Sequence, residues 1–379
     1  MIYLDYSATT PPDKRVVEVF SKVAIDYFAN SNSLHKLGVK SKELENYATE
    51  EIAKYLKIRP SEIIYTSSSS ESNNLALKGI CLKYQNRGKH IITTNLEHSS
   101  IIATCNYLTK LGFEVEFVDL NEDGTVDIND LKNKLRDDTI LVSISAVDSE
   151  LGIRQPVEEI GKILKNYPKC YFHVDCTQAI GKVNVDFTNI DLASISAHKF
   201  YGLKGIGMLI KKENIVIESL IHGGKSTTIY RSGTPALPLI VSLKKALELI
   251  IPNIDKNYEH VSKLNKIIIN KLSTYNNVYI NSTSKSIKNT INISLVNIKP
   301  ETFVHALEEN DIYVSTKSAC SSSNSMSNSI YAITHDEKRA SSTIRISLSY
   351  LTTIEQINKF LEAFDTCYNK LNIGKNENN

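Results

Sequence analysis

From about residue 15 to 250 the chain alternates between two hydrophobic rhythms. "SKELENYATEEIAKYL" repeats its apolar positions with helical spacing, whereas "EIIYTS", "HIITT", "FEVEFVD", "TILVSIS" and "CYFHVD" are short apolar runs that read as strands. Strands alternating with helices in this way predict an α/β domain on a mostly parallel sheet. Ligands of such sheets gather at the carboxyl ends of the strands. Three polar clusters stand at such ends: "TSSSSESNN" after "EIIY", "DCTQ" after "YFHV" and "SAHK" after "LASI".

After Pro252 the rhythm changes to a long helical stretch, "IDKNYEHVSKLNKIIINKLST", then strand and helix segments that end in "TIRISLSY" and the helix "TIEQINKFLEAFDTCYNKL". The pattern predicts a large domain over 15–250 and a smaller α+β domain over 251–379 that also takes in residues 1–14. The tail "GKNENN" is expected to fray, and no internal repeat is present.

Composition narrows the function classes. A chain of 379 residues with 41% hydrophobic content can bury one large core or two unequal ones. Lys plus Arg (44) nearly cancels Asp plus Glu (42), and no long basic run appears, so nothing calls for nucleic acid or an anionic membrane as partner. Small molecules and proteins are the expected partners. The first strand signal begins at residue 2, and no apolar run approaches the ~18 to 20 residues of a membrane span. A cytoplasmic protein is expected. Six cysteines lie scattered without CxxC spacing, against both a zinc site and a secreted disulfide framework, and no metal centre is expected. Cys320 differs from the rest because it sits in "TKSACSSSNSMSNS", a polar run without hydrophobic period that predicts an exposed loop over about 315–330. Taken alone, it reads as an incidental loop thiol.

Candidate chemistry centres on Lys199 in "SISAHKFYGLKGIGML". A neutral lysine amine forms a Schiff base with a carbonyl cofactor, and pyridoxal phosphate is the commonest cofactor that uses one. Such a site also needs a carboxylate for the pyridinium nitrogen, donors for the phosphate and a group stacked on the ring. Asp175 ends a buried-looking strand, where a carboxylate is costly unless paired with a cation. Helix N-capping of "TQAIGK" is an equally good use of the same Asp. Gln178, three residues on, is within reach of the ring hydroxyl. The serine run offers hydroxyls and N–H groups where a strand gives way to a helix, a natural anion site, with Ser70 the best placed donor and Ser196 and His198 adding from the lysine loop. A serine run is as readily a solvated cap. His98 in "TNLEHSSI" follows another strand, where a ring stacked on the cofactor is expected if it is not surface decoration.

The ordered set "YLDYSATTPP", "TSSSSESNNLALKG", "LEHSS", "HVDCTQAIGK", "SAHKFYGLKGIG", "RSGTPA", "KSACSSS" and "IRISLSY" resembles the cysteine desulfurases of the NifS/IscS type, class V of the aminotransferase superfamily. It covers nearly the whole chain. The resemblance implies the fold-type-I architecture of pyridoxal phosphate enzymes: a large domain with a mostly parallel seven-stranded sheet plus a smaller α+β C-terminal domain. It implies that Lys199 carries the cofactor, Asp175 pairs with the pyridinium, and Gln178 and Ser149 stand at the ring oxygen. His98 would stack on the ring and carry a proton, with Ser69, Ser70, Ser196 and His198 at the phosphate. Thr234 would reach the phosphate of a neighbouring subunit, implying a homodimer. Arg345 would pair with the substrate α-carboxylate, a task that suits a bidentate guanidinium, and Asn32 would line the substrate site. By the same resemblance, the Cys320 thiolate takes sulfur from L-cysteine, releases alanine and passes its persulfide to an acceptor protein for iron–sulfur or thiolation chemistry.

Some positions depart from the family pattern. Asp148 and Ser149 replace two asparagines, Thr227, Thr228 and Ile229 replace a Glu-Arg-Gly, and Lys225 and Lys317 replace glycines. They predict either altered detail in a desulfurase or a divergent class V enzyme acting on another amino acid.

Overall fold

The computed structural model describes residues 1–316 and 326–373. Lys317, Cys320 and the tail "GKNENN" lie outside the described residues. The chain opens on a two-residue strand, β1 (Ile2–Tyr3). The main sheet follows: β2 (Ile63–Thr66), β3 (His90–Thr93), β4 (Glu114–Phe117), β5 (Thr139–Ser145), β6 (Tyr171–Asp175), β7 (Leu192–Ser196) and β8 (Gly207–Lys211). Its seven strands are ordered β2-β8-β7-β6-β5-β3-β4.

Strands β3 to β7 pair in parallel, while β8 runs antiparallel to both β7 and β2. Connection length explains the exception. Parallel neighbours need a crossover of a dozen or more residues, whereas β7 and β8 are separated only by the turn-rich segment 197–206.

Both faces of the sheet are covered, so its central strands are buried throughout. Alternation along each strand divides the side chains between two cores. Val142, Phe172, Val174, Ala193 and Ile210 join the core that includes Val16, Ile52, Ile160 and Leu243 of the helices Lys14–Asp26, Lys36–Leu56, Val157–Leu164 and Leu237–Ile250. Leu141, Leu192 and Leu209 join the opposite core with Leu75 and Ile101 of the helices Ser69–Tyr84 and Ser99–Thr109. On this second face three strands also carry polar residues: the His173 ring bonds Ser143 Oγ (2.9 Å) through Nδ1 and Ser194 Oγ (3.0 Å) through Nε2. Burial, only partly opposed by Asp175, holds His173 well below the usual imidazole range, at about 4. Two residues further along the same face, at the strand end, stands Asp175.

A second sheet, antiparallel and ordered β12-β10-β9, is built from β9 (Val278–Ile280), β10 (Thr290–Leu295) and, after the short β11 (Ile312–Tyr313), β12 (Thr343–Ser347). It packs a separate core with Val261, Leu264 and Ile268 of the helix Ile254–Leu272, Phe303 of Pro300–Glu308, and Phe360 and Phe364 of Ile354–Ile373. Ile2 and Leu4 belong to this core, since β1 pairs in parallel with β11. The N-terminal segment then crosses to the main sheet, where Thr10 N–H donates to the His198 carbonyl at 2.9 Å.

Candidate active site

A cavity of about 190 Å³ opens beside the carboxyl ends of β5, β6 and β7. Lys199, Asp175, His98, Arg345, Ser69 and Ser70 line it. These residues come from five separate stretches of sequence, and the topology delivers them to one place.

Lys199 ends the single turn Ala197–Lys199 that follows β7. Its amine donates to the carbonyls of Ser7 and Ala8, each at 2.7 Å, so the N-terminal segment sets the position of Nζ. Tyr201, two residues on, holds φ at +66°, an uncommon conformation for a bulky side chain. The conformation is secured by its N–H to Thr10 Oγ1 (2.7 Å) and its hydroxyl to Ser349 Oγ (2.5 Å).

Asp175 caps no helix, because residues 177–182 form turns. Its Oδ1 accepts the Thr177 N–H at 2.9 Å, and its Oδ2 accepts Asn73 Nδ2 at 2.8 Å. A carboxylate held by two donors and lining a cavity is a ready partner for a protonated ring nitrogen.

The serine run begins a helix, as its pattern predicts. Ser68 is the N-cap, and Glu71 closes the reciprocal contact through Ser67 N–H at 2.7 Å. Ser69 and Ser70 occupy the first turn, whose N–H groups have no intrahelical acceptor and favour an anion. Gly207 permits this placement, since a Cβ there would stand 2.6 Å from the Ile195 carbonyl oxygen and 2.8 Å from the backbone of Ser68. Arg231 braces the same turn through Glu71 at 2.9 Å.

His98 is the N-cap of Ser99–Thr109, its Nδ1 accepting the Ser100 N–H at 3.2 Å. Burial depresses its basicity; Asp175 opposes that and Lys199 adds to it. The neighbouring Glu97 is buried and pushed up to about 8 by desolvation, and it ties the His98 turn to the end of β5 by accepting Ser145 N–H at 2.9 Å. His198 lines the cavity with its Nδ1 beside Thr9 Oγ1 at 3.1 Å. Burial, then Lys199, Lys204 and Lys182, hold it near 4. It is neutral at physiological pH and keeps one N–H to donate.

Arg345 is 1% exposed. NH1 donates to the Ser149 carbonyl (2.8 Å), NH2 to Asp5 Oδ1 (2.9 Å), and Nε has no partner among the described residues.

Other expected site residues stand differently. Gln178 lines the cavity, but Nε2 donates to Ser7 O (2.9 Å) and Oε1 accepts Lys182 Nζ (2.5 Å), so both ends of the amide already serve the protein. Ser149 reaches the site and holds Arg345 by its carbonyl. Ser196 is buried at the end of β7 and does not line the cavity. Asn32 is exposed in a turn, its N–H on Asn30 Oδ1 at 2.9 Å, and Thr234 is exposed as well; neither lines the cavity of one chain. Asp148 has a scaffold function: its buried carboxylate accepts the N–H groups of Glu150 and Leu151 at 2.8 Å and Ile153 at 2.7 Å. Asn73, Ser100, Asp5 and the Ser7 and Ala8 carbonyls escape the sequence reading. All lie in quoted motifs that flag the neighbourhood without singling them out.

The donor set fits pyridoxal phosphate: an amine, a carboxylate, a helix N-terminus with hydroxyls and an imidazole face one enclosed space. Relatives agree. The class-V aminotransferase family model matches residues 2–360. A protein of Dictyoglomus turgidum named cysteine desulfurase IscS is 40% identical over 375 residues, covering 98% of this chain and 95% of that protein. Among solved structures, a NifS-like protein from Rickettsia africae is 33% identical with a TM-score of 0.87, covering 97% of this chain and 99% of its own. A structure titled SspA in complex with cysteine is 33% identical with a TM-score of 0.82, covering 93% of this chain and 100% of its own. With its fold, its cavity and its sequence in agreement, the chain belongs to the class-V aminotransferase family, and pyridoxal phosphate is the cofactor of the cysteine desulfurases within it.

Proposed function

We propose that the protein is an L-cysteine desulfurase that transfers the substrate sulfur to Cys320 and releases L-alanine. The observation that carries this reading is the meeting of Lys199, Asp175 and Arg345 in one cavity, in a chain with desulfurase relatives over nearly its whole length. Pyridoxal phosphate, when bound through Lys199, supplies an electron-withdrawing ring that stabilises the negative charge left when the α-proton departs. Asp175 keeps the ring nitrogen protonated, and the first turn of Ser69–Tyr84 holds the phosphate. Arg345 takes the α-carboxylate, using N–H groups beyond those given to Ser149 and Asp5. Lys199 Nζ would move the α-proton, kept close by the carbonyls of Ser7 and Ala8. The Cys320 thiolate attacks the substrate sulfur: one S–S bond forms, the C–S bond breaks, and a proton fills the vacated position on the carbon. L-cysteine plus a thiol gives L-alanine plus a persulfide, which balances without an external oxidant.

The assembly proposed is a homodimer in which Thr234 reaches the neighbouring site. It is supported by Ile25, Phe28, Leu34 and Leu37, apolar residues exposed on and beside the helices Lys14–Asp26 and Lys36–Leu56. Among the described residues no helix is long and apolar enough to cross a membrane. We place the enzyme in the cytoplasm, giving its sulfur to an acceptor protein of iron–sulfur or thiolation chemistry. The test is incubation of the purified, cofactor-loaded protein with L-cysteine. Alanine should appear together with one added sulfur on Cys320 by mass spectrometry, and absence of alanine would overturn the reading.

A further inference from the structure

A chain of hydrogen bonds runs from Asp175 to His98. Asn73 Nδ2 donates to Asp175 Oδ2 at 2.8 Å and to Ser100 Oγ at 2.9 Å, and Ser100 Oγ stands 2.8 Å from His98 Nδ1. Asn73 is fully buried and its Oδ1 has no partner among the described residues. The direction of each bond follows from elementary accounting of donors and acceptors. An ionised carboxylate only accepts, so Asn73 must present its NH₂ to Asp175. The same NH₂ group faces Ser100, so the Ser100 hydroxyl accepts there and its own proton is left for His98 Nδ1. The Ser100 backbone N–H points at the same nitrogen from 3.2 Å. Two donors converge on Nδ1, which must therefore carry a lone pair.

We infer that Asn73 and Ser100 are positioning residues through which the Asp175 carboxylate fixes the tautomer of His98, keeping Nδ1 unprotonated and placing the single ring proton on Nε2. The inference deepens the proposed function, since it rests on His98 serving that site as a proton carrier. Its consequence is that His98 exchanges protons only through Nε2, while Nδ1 stays locked to the helix N-terminus. The helix end disfavours a positive ring as well. The charged groups facing His98 are Asp175 at the end of β6 and Lys199 after β7, with Glu97 beside it in the chain. Burial and Lys199 work in the same direction as the two donors, and Asp175 works against them.

The test uses the full chain loaded with pyridoxal phosphate and labelled with ring-¹⁵N histidine, the His98 signals being identified by their loss in His98→Gln. The parent protein should show an unprotonated Nδ1 and a protonated Nε2. Ser100→Ala removes one of the two donors. A mixture of tautomers should then appear, and the His98 titration and the acid limb of kcat/KM should both move upward by about half a pH unit or more. Ser100→Thr, which retains a hydroxyl, should restore the parent behaviour. A parent His98 protonated on Nδ1 overturns the inference, as does a Ser100→Ala protein with unchanged ring shifts and titration. Cofactor absorbance and alanine release are read separately, so failure of the desulfurase reading and failure of the tautomer assignment give different results.

Discussion

Arg345 NH2 and Asp5 Oδ1 lie 2.9 Å apart although 340 positions separate them in the chain. The contact holds a buried guanidinium at the cavity wall, and no local sequence pattern announces it. Removing the carboxylate leaves a buried cation short of a partner. Asp5→Ala should therefore cost about 1.5 to 3 kcal/mol in urea unfolding, the range of a hydrogen bond to a charged group. The KM for L-cysteine should rise several-fold with a smaller change in kcat. An unchanged KM would separate Asp5 from substrate binding.

Gly207 and the serine turn are in backbone contact, so a methyl group at 207 must displace one of them. Gly207→Ala should weaken pyridoxal phosphate binding by on the order of tenfold or more, as an overpacked contact costs about 1 to 3 kcal/mol. Titration of the apoprotein by absorbance reads this directly, and an unaltered affinity would mean that the turn yields freely.

His173 gives the fold an acid limit. Its folded value of about 4 lies below the ordinary imidazole value, so the neutral ring belongs to the folded state. That contribution is complete above pH ~6.5 and is lost as the pH falls toward 4. Urea midpoints should decline across this window, and His173→Gln, which bonds without titrating, should flatten the decline. A parent protein with constant midpoints from pH 6.5 to 4 would contradict the assignment.

Lys199→Ala and Cys320→Ala should fail at different stages. The first should lose the cofactor absorbance band that depends on covalent attachment, while its urea midpoint stays near that of the parent. The second should keep the band and respond to L-cysteine spectrally, yet release no alanine beyond background. Alanine at the parental rate from Cys320→Ala would remove the persulfide step.

Much of this site was legible because its parts announce themselves locally. The runs "EIIYTS", "HIITT", "FEVEFVD", "TILVSIS" and "CYFHVD" contain β2 to β6, and the three polar clusters at strand ends do converge on the cavity. What the pattern hides is pairing at long range and backbone chemistry. The reversal of β8 depends on a short connection that periodicity does not register. "TQAIGK" has a helical look, yet Asp175 bonds the N–H of Thr177 and the chain turns instead. Asn73 and Ser100 gain meaning only when Ser69–Tyr84 and Ser99–Thr109 are laid side by side. Asp148, a departure from the family pattern, proves to be a loop scaffold because three N–H groups point at it.

Residues Ile2 to Ala8 are synthesised long before the residues they contact and are among the last to find their place. Residues Ile2 to Ala8 pair with β11, meet Ser347 and Arg345 near the far end, and present two carbonyls to Lys199. During translation they must wait until β11 and β12 have left the ribosome. A finished catalytic pocket is thus a certificate that synthesis ran past β12: products cut short before it can form much of the main sheet, but they lack the partners that draw this segment across it.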